Sequence, residues 1–323
     1  MSKLNDYIQT DWFGPAVISL VAMLGIGLTN PSFLSPLNLN VLMLAIAISG
    51  MVAMSQMVII AIGQMNLSVG AIGGFAAISF AGLMELHQMP AGMAVVIAML
   101  IGCAAGFFNG WLIATTGISA FVITLASLSI FKGLNLGITE AQAYYGIPEG
   151  VKAIGNETLF GVIPVLAIPT ALVVVLLWFV LARLPLGRNI LAVGANSNAA
   201  SLSGISVKWT VISAHVISGL LAATAGIMAV AHLQIGQPTI GDDWLLLSFA
   251  APVVGGAVLN GGHVSVSATI LGVAIVAIFN QALVLFRVDP YLVQVVLGGL
   301  ILWAVGVNRW RETRAIKHTS KVA

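Results

Sequence analysis

Residues 41–62 read VLMLAIAISGMVAMSQMVIIAI, an unbroken run without one acidic or basic side chain. A helix crosses the hydrocarbon core of a bilayer with about 20 apolar residues, so this run predicts a membrane span. Moved along the chain, the same ruler finds about ten segments, at roughly 12–29, 41–62, 67–85, 91–115, 119–138, 159–182, 209–231, 244–260, 265–286 and 290–308. Those at 67–85 and 244–260 are short and rich in glycine, which suits a broken or re-entrant helix.

Composition points the same way. Of 323 residues, 59% are hydrophobic and 7% are charged, against about 25% charged in an average soluble domain. A soluble fold could not cover its surface with so few charges, so lipid must surround most of the chain. The predicted fold is an all-α polytopic bundle in a single domain, 1–323. It has a cytoplasmic N-terminus over 1–11, a helical bundle over 12–308 with a loop at 183–208, and a basic tail over 309–323. Two acids precede the first apolar run and no small-x-small cleavage site follows it, which favours a retained span over a cleaved signal. Cys103, the single cysteine, excludes an intrachain disulfide and a cysteine metal cluster. The net charge of +2 is too small to suggest nucleic-acid binding.

Charge distribution gives an orientation. With the N-terminus inside, nine of the 12 basic residues face the cytoplasm: Lys3, Arg183, Arg188, Lys208, Arg309, Arg311, Arg314, Lys317 and Lys321. Lys152 and Arg287 fall outside. Glu85, Glu140, Glu149, Glu157, Asp242, Asp243 and Asp289 fall outside too. The pattern predicts an even span count and two cytoplasmic ends. A weak similarity between 102–118 (GCAAGFFNGWLIATTGI) and 272–288 (GVAIVAIFNQALVLFRV) matches Phe108-Asn109 to Phe279-Asn280 within one residue of slippage. The first stretch runs inward and the second outward, as in an inverted repeat.

Polar groups at membrane depth either bind helices together or face a solute. Gln64, Asn66, Ser68, Asn109, Thr124, Ser127, Lys132, Asn280 and Gln281 are the candidates for a pathway. Amides and hydroxyls both donate and accept, which suits a neutral polyhydroxylated solute. No acid lies clearly mid-span, which argues against a proton relay. Lys132 either snorkels outward or lines a cavity. Walker A, G-x-S-x-G and H-E-x-x-H patterns are absent, and the histidines lack ligand spacing, so no enzymatic activity is expected.

The loop carries the most specific pattern. In LGRNILAVGANSNAASLSGISV (186–207), Asn196–Asn198 can cap a short helix over Ala199–Ser203, and Gly204 can end it. Gly187, Arg188, Ala192, Gly194, Asn196, Ala199, Ala200, Gly204 and Ile205 match G-R-x-x-x-A-x-G-x-N-x-x-A-A-x-x-x-G-I. This pattern resembles the permeases of the ribose, xylose and autoinducer-2 type of ATP-binding-cassette importers. The resemblance covers roughly residues 30–308. Gly117–Gly133 and Val254–Gly262 are similar to two further motifs of that family. Two positions depart from it: Asn66 stands where the family usually has aspartate, and Lys132 where it often has arginine.

The resemblance implies a monosaccharide or related polyol as cargo, delivered by a periplasmic binding protein. It implies a second permease copy or paralogue, and cytoplasmic ATPase subunits that hold ATP and magnesium; the chain itself needs no cofactor. Arg188, Gly194, Asn196, Ala199, Ala200, Ser203 and Gly204 become candidate coupling residues, and the bacterial inner membrane becomes the location. The alternatives are an ATP-independent secondary transporter, which needs a coupling-ion site, and a membrane-embedded enzyme or flippase, which needs a lateral opening.

Overall fold

The computed structural model describes residues 10–289, together with Leu292, Val295, Gly298, Gly299, Leu302 and Gly306. The span expected at 290–308 lies outside the described residues, save for those six. Twelve α-helices follow one another among the described residues: α1 (Phe13–Thr29), α2 (Pro36–Ala61), α3 (Val69–Glu85), α4 (Ala91–Thr116), α5 (Ala120–Thr139), α6 (Glu149–Asn156), α7 (Ala167–Arg183), α8 (Pro185–Ala195), α9 (Ser197–Leu202), α10 (Val207–Leu233), α11 (Trp244–Val254) and α12 (Val266–Leu285). A hairpin of β1 (Thr158–Leu159) and β2 (Ile163–Pro164) precedes α7.

The fold is all-α and polytopic. Five helices, α2, α4, α5, α10 and α12, are long and apolar enough to cross a membrane, and α7 with α8 makes a sixth if that bent pair is one span. Local sequence sets their ends. Ser35, Ser206 and Ser265 cap α2, α10 and α12 by accepting from backbone amides three residues on. Gly117, at φ +72°, ends α4 in the left-handed conformation.

Three expected boundaries move. The segment expected at 159–182 begins only at Ala167. Phe160 and Gly161 both take positive φ and turn the chain into the hairpin, and Asn40 Nδ2 donates to Val162 O at 2.9 Å to hold it beside α2. The segment expected at 244–260 ends at Val254. Pro252 removes a backbone donor near the end of α11, and Gly256 takes φ +85°. The loop at 183–208 is mostly helical. Pro185 starts α8 after a 72° bend from α7, and Asn196 Oδ1 accepts from Ala199 N at 3.0 Å to start α9.

Two triplets share one plan of long, short and long helices: α2–α3–α4 and α10–α11–α12. α3 packs on α10 and α4, and α11 packs on α2 and α12. The chain after α2, the start of α10 and the loop after α11 line one cleft. The ends of α3 and α10 meet the 144–146 stretch at the opposite face, where Tyr144 bridges Gly236 and Gly146 N donates to Glu85 Oε2 at 2.6 Å. The triplets therefore run in opposite senses, as the Asn109–Asn280 similarity suggested. At 11 residues, α11 rises only about 16 Å, half of the hydrocarbon core.

The centre is α2 and α10. Met51, Met54, Met57, Ile59 and Ile60 of α2 are fully buried. α4 presents Gly102, Gly106 and Gly110, four apart, to α10, and a Cβ on Gly219 would collide with the Gly102 carbonyl oxygen. Such small-residue faces let backbones approach where no hydrophobic force separates helix from lipid. The outward faces of α1, α5 and α7 are apolar, with Leu28, Ile138 and Val175 exposed, the inverse of a soluble surface.

Gly219→Ala is expected to cost about 1–3 kcal/mol by overpacking and to lower the thermal midpoint of the detergent-solubilised protein. Gly92→Ala, with nothing within 4 Å, is expected to leave it unchanged. Tryptophan fluorescence on heating compares the two.

Candidate functional site

A seven-residue break, 62–68, separates α2 from α3. Its backbone leaves the helix inside the bundle, so its polar groups need partners from side chains. Asn66 provides most of them. Its Oδ1 accepts from Ser68 N at 3.0 Å and from Ser68 Oγ at 2.7 Å, and its Nδ2 donates to Ser218 Oγ at 3.2 Å. With its amide turned to satisfy both partners, Gln56 Nε2 donates to Asn66 O at 3.0 Å and Oε1 accepts from Asn66 N at 3.2 Å. Thr124 Oγ1 accepts from Leu67 N at 3.1 Å and donates to Ala120 O at 2.7 Å.

The bonds continue across four helices. Asn109 Nδ2 of α4 donates to Ser68 Oγ at 2.9 Å, and Ser127 Oγ of α5 donates to Asn109 Oδ1 at 2.5 Å. Ser55 Oγ of α2 donates to Ser218 O of α10 at 2.8 Å. Asn66, Ser68, Asn109, Thr124 and Ser127 are buried. The amide fits this arrangement without a buried charge: its Nδ2 supplies a donor to Ser218 Oγ that an ionised carboxylate lacks.

Below the cluster an open cleft of about 920 Å³ is lined by Gln64, Ile113, Ser119, Phe121, Lys208 and Asn260, among others. Gln64 ties the cleft wall to α10. Its Oε1 lies 3.0 Å from Nε2 of the fully buried His215, and since Oε1 only accepts, Nε2 carries the proton. His215 Nδ1 has no partner.

Three predicted residues lie apart from the cluster. Lys132 Nζ pairs with Asp242 at 2.9 Å, each side chain 45% exposed, which ties α5 to the stretch before α11. Asn135 Nδ2, one turn on, donates to Pro238 O at 3.0 Å. Asn280 and Gln281 sit on α12 beside a cavity of about 70 Å³ that Ser49 also lines. Asn280 Oδ1 has no partner there, while Gln281 Nε2 donates to Asn38 Oδ1. Asn109 and Asn280 thus match in the repeat but not in their surroundings.

The loop motif divides in two. Arg188, Asn196, Ala199, Ser203 and Gly204 are exposed, Ala200 is buried, and Gly194 turns inward against Ala61 O. Leu202 was not among the expected coupling residues, yet it stands 91% exposed at the end of α9. An apolar residue inside a polar, capped loop helix is the sequence signal that could have found it. The glycine spacing of α4 is a second such signal. Among the described residues no group of three or more His, Cys, Asp or Glu could hold a metal ion.

The family described as branched-chain amino acid transport system / permease component matches residues 38–305. The ribose import permease protein RbsC of Bacillus subtilis (strain 168) is 35% identical over 298 residues, 92% of each chain. The D-allose transport system permease protein AlsC of Escherichia coli (strain K12) is 32% identical over 94% of each chain. The autoinducer 2 import system permease protein LsrD of Photorhabdus laumondii is 30% identical, over 94% of this chain and 96% of that one. No solved structure matches the chain.

A double-mutant cycle tests the cluster. Asn109→Ala and Ser127→Ala are each expected to destabilise the protein, and together by less than their sum, with a coupling of about 0.6–1.7 kcal/mol. Unfolding of the four chains in detergent measures it; strict additivity would mean that the bond contributes nothing.

Proposed function

The chain belongs to the family described as branched-chain amino acid transport system / permease component, and from that premise we propose that it is the membrane-spanning permease subunit of an ATP-binding-cassette importer for a monosaccharide. The relatives named above carry ribose, allose or autoinducer 2 in their names, at 30–35% identity over nearly the whole chain. The amides and hydroxyls at membrane depth suit a neutral polyhydroxylated solute better than an amino acid, whose two charges would need opposite partners.

The observation that carries the reading is the α8–α9 element. A 72° bend turns the chain away from α7, a capped helix follows, and an exposed Leu202 ends it. An apolar tip on a short rigid helix suits a groove on a soluble partner, here a cytoplasmic ATPase subunit that holds ATP and magnesium. The chain then supplies geometry rather than chemistry. Two permease copies, or this chain and a paralogue, would enclose the path, with a periplasmic binding protein delivering the solute outside. The exposed apolar belts of α1 and α7 suit lipid. The cleft would form part of the inner vestibule, with Gln64 at its upper end and the cluster from Asn66 to Ser127 bracing the break above it. The Lys132–Asp242 pair would stand near the outer mouth. ATP-driven alternation needs only that the solute bind the outward and inward states differently.

Orientation follows from charge, with the α8–α9 face in the cytoplasm of a bacterial inner membrane. Asp11 and His263, 3.1 Å apart, would share that face. In a Cys103→Ser chain, a membrane-impermeant thiol reagent outside intact cells is expected to label Tyr145→Cys and to spare Asn198→Cys. The opposite labelling would reverse the topology and end the transport reading.

Docking has its own test. A co-expressed ATPase subunit is expected to co-purify with the chain, and ribose uptake into proteoliposomes is expected to require ATP. Leu202→Asp replaces an apolar contact of about 1.5–3 kcal/mol with a charge, so ATPase retention is expected to fall by tenfold or more, about 1.4 kcal/mol per decade. Uptake without ATP by the chain alone would make it a secondary transporter.

A further inference from the structure

Three segments far apart in sequence meet backbone to backbone beside the cleft: 61–63 at the end of α2, 194–195 at the end of α8, and 260–262 after α11. Gly262 N donates to Ala61 O at 3.0 Å. A Cβ on Gly194 would collide with Ala61 O and stand 2.6 Å from Gly262 N. One on Gly261 would stand 2.7 Å from Gly63 Cα and 2.9 Å from Gly194 O, and one on Gly63 2.7 Å from Asn260 O. Gly63, Gly261 and Gly262 also take left-handed φ of +72°, +89° and +82°, so the turns and the close approach demand the same residue type.

What the three segments lead to gives the junction its interest. α8 is separated from α9 only by Asn196. Gly63 is followed at once by Gln64, which holds His215, and then by Asn66, the centre of the buried cluster. Asn260 lines the cleft together with Gly63 and Gln64, and 260–262 joins α11 to α12. Only the Cβ of Ala195, against Gly262, lies between the segments, and an alanine has no rotamers, so rotamer changes cannot absorb a displacement of α8. Close-packed contacts of this kind switch between arrangements rather than deform smoothly.

We propose that Gly63, Gly194, Gly261 and Gly262 form a joint that passes movement of α9 to the 62–68 break and so changes access to the cleft. Gly194 is then a positioning residue inside the protein rather than a contact to the ATPase. The proposal rests on the reading of α9 as the ATPase docking element.

The test uses the whole chain with its ATPase and needs no identified solute. A Cys103→Ser chain carries Ala114→Cys in the cleft wall, and a water-soluble maleimide labels position 114 without nucleotide and with ATP and vanadate. The two labelling rates are expected to differ. With Gly194→Ala added, the ATPase is expected to stay bound and to hydrolyse ATP, while the difference between the rates is lost. Gly92→Ala is expected to preserve it. Should Gly194→Ala fail to assemble, Ala195→Val takes its place, since residue 195 is exposed and its Cβ faces Gly262.

A difference that persists in either assembled variant overturns the joint and leaves docking intact. Equal rates in the intact chain also overturn it, as does loss of the ATPase from both variants, which would make the junction a part of docking or of folding alone. An unsubstituted chain that binds no ATPase overturns the docking reading, and the joint with it.

Discussion

A backbone buried in lipid must satisfy its own hydrogen bonds, and a helix that breaks there must find side chains to do so. The 62–68 break is where this protein meets that demand. Gln56 holds both backbone groups of Asn66, Thr124 takes the amide of Leu67, and Asn66 takes the amide of Ser68. These contacts come from α2, α5 and the break itself, while Ser218 of α10 and Asn109 of α4 close the set. The same bonds that make the break tolerable therefore fix the relative positions of four helices, α2, α4, α5 and α10. A cluster so connected holds the break and its partners together as one unit.

Close approach is the second constraint. In lipid, burying leucine against leucine gains little, so helices associate through backbone contact and interhelical bonds. The α4–α10 crossing uses both, with Gly102, Gly106 and Gly219 at the contact and Ser218 one residue from Gly219 in the polar cluster. α5 is held differently. Apart from the stripe that includes Thr124 and Ser127, it is mostly exposed, and it is tied to the stretch before α11 by Lys132–Asp242 and Asn135–Pro238. Its long apolar face is free in a single chain and is available to lipid or to a second copy.

The cytoplasmic reading of the α8–α9 face brings docking and vestibule together. Leu202 is exposed, and Gly194, eight positions earlier in the chain, faces Ala61. On that reading one element would reach both the motor and the end of α2 from which the break departs. Transport in such a design would depend on the geometry of a few backbone contacts.

The sequence by itself determined the solvent and the class. Runs such as 41–62 and a 7% charged content admit only a lipid-embedded helical bundle, because both facts follow from local composition. It also pointed to a short capped loop helix over Ala199–Ser203 with Asn196–Asn198 as candidate caps, since capping is decided within a few residues; the structure selected Asn196 and a helix over Ser197–Leu202. The inverted repeat was legible only faintly, through Phe108-Asn109 and Phe279-Asn280. The tertiary structure decided the rest. Asn66, Asn109 and Ser127 are brought together from three separate segments, whereas Asn280, identical in type to Asn109, is left without a partner for its oxygen. Lys132 could snorkel or line a cavity until Asp242, 110 residues away, was placed beside it. The turn before α7 depended on Phe160 adopting a positive φ, which no propensity for phenylalanine suggests. Partners distant in the chain fix these features, and a pattern read along one strand of sequence carries no distance between its members.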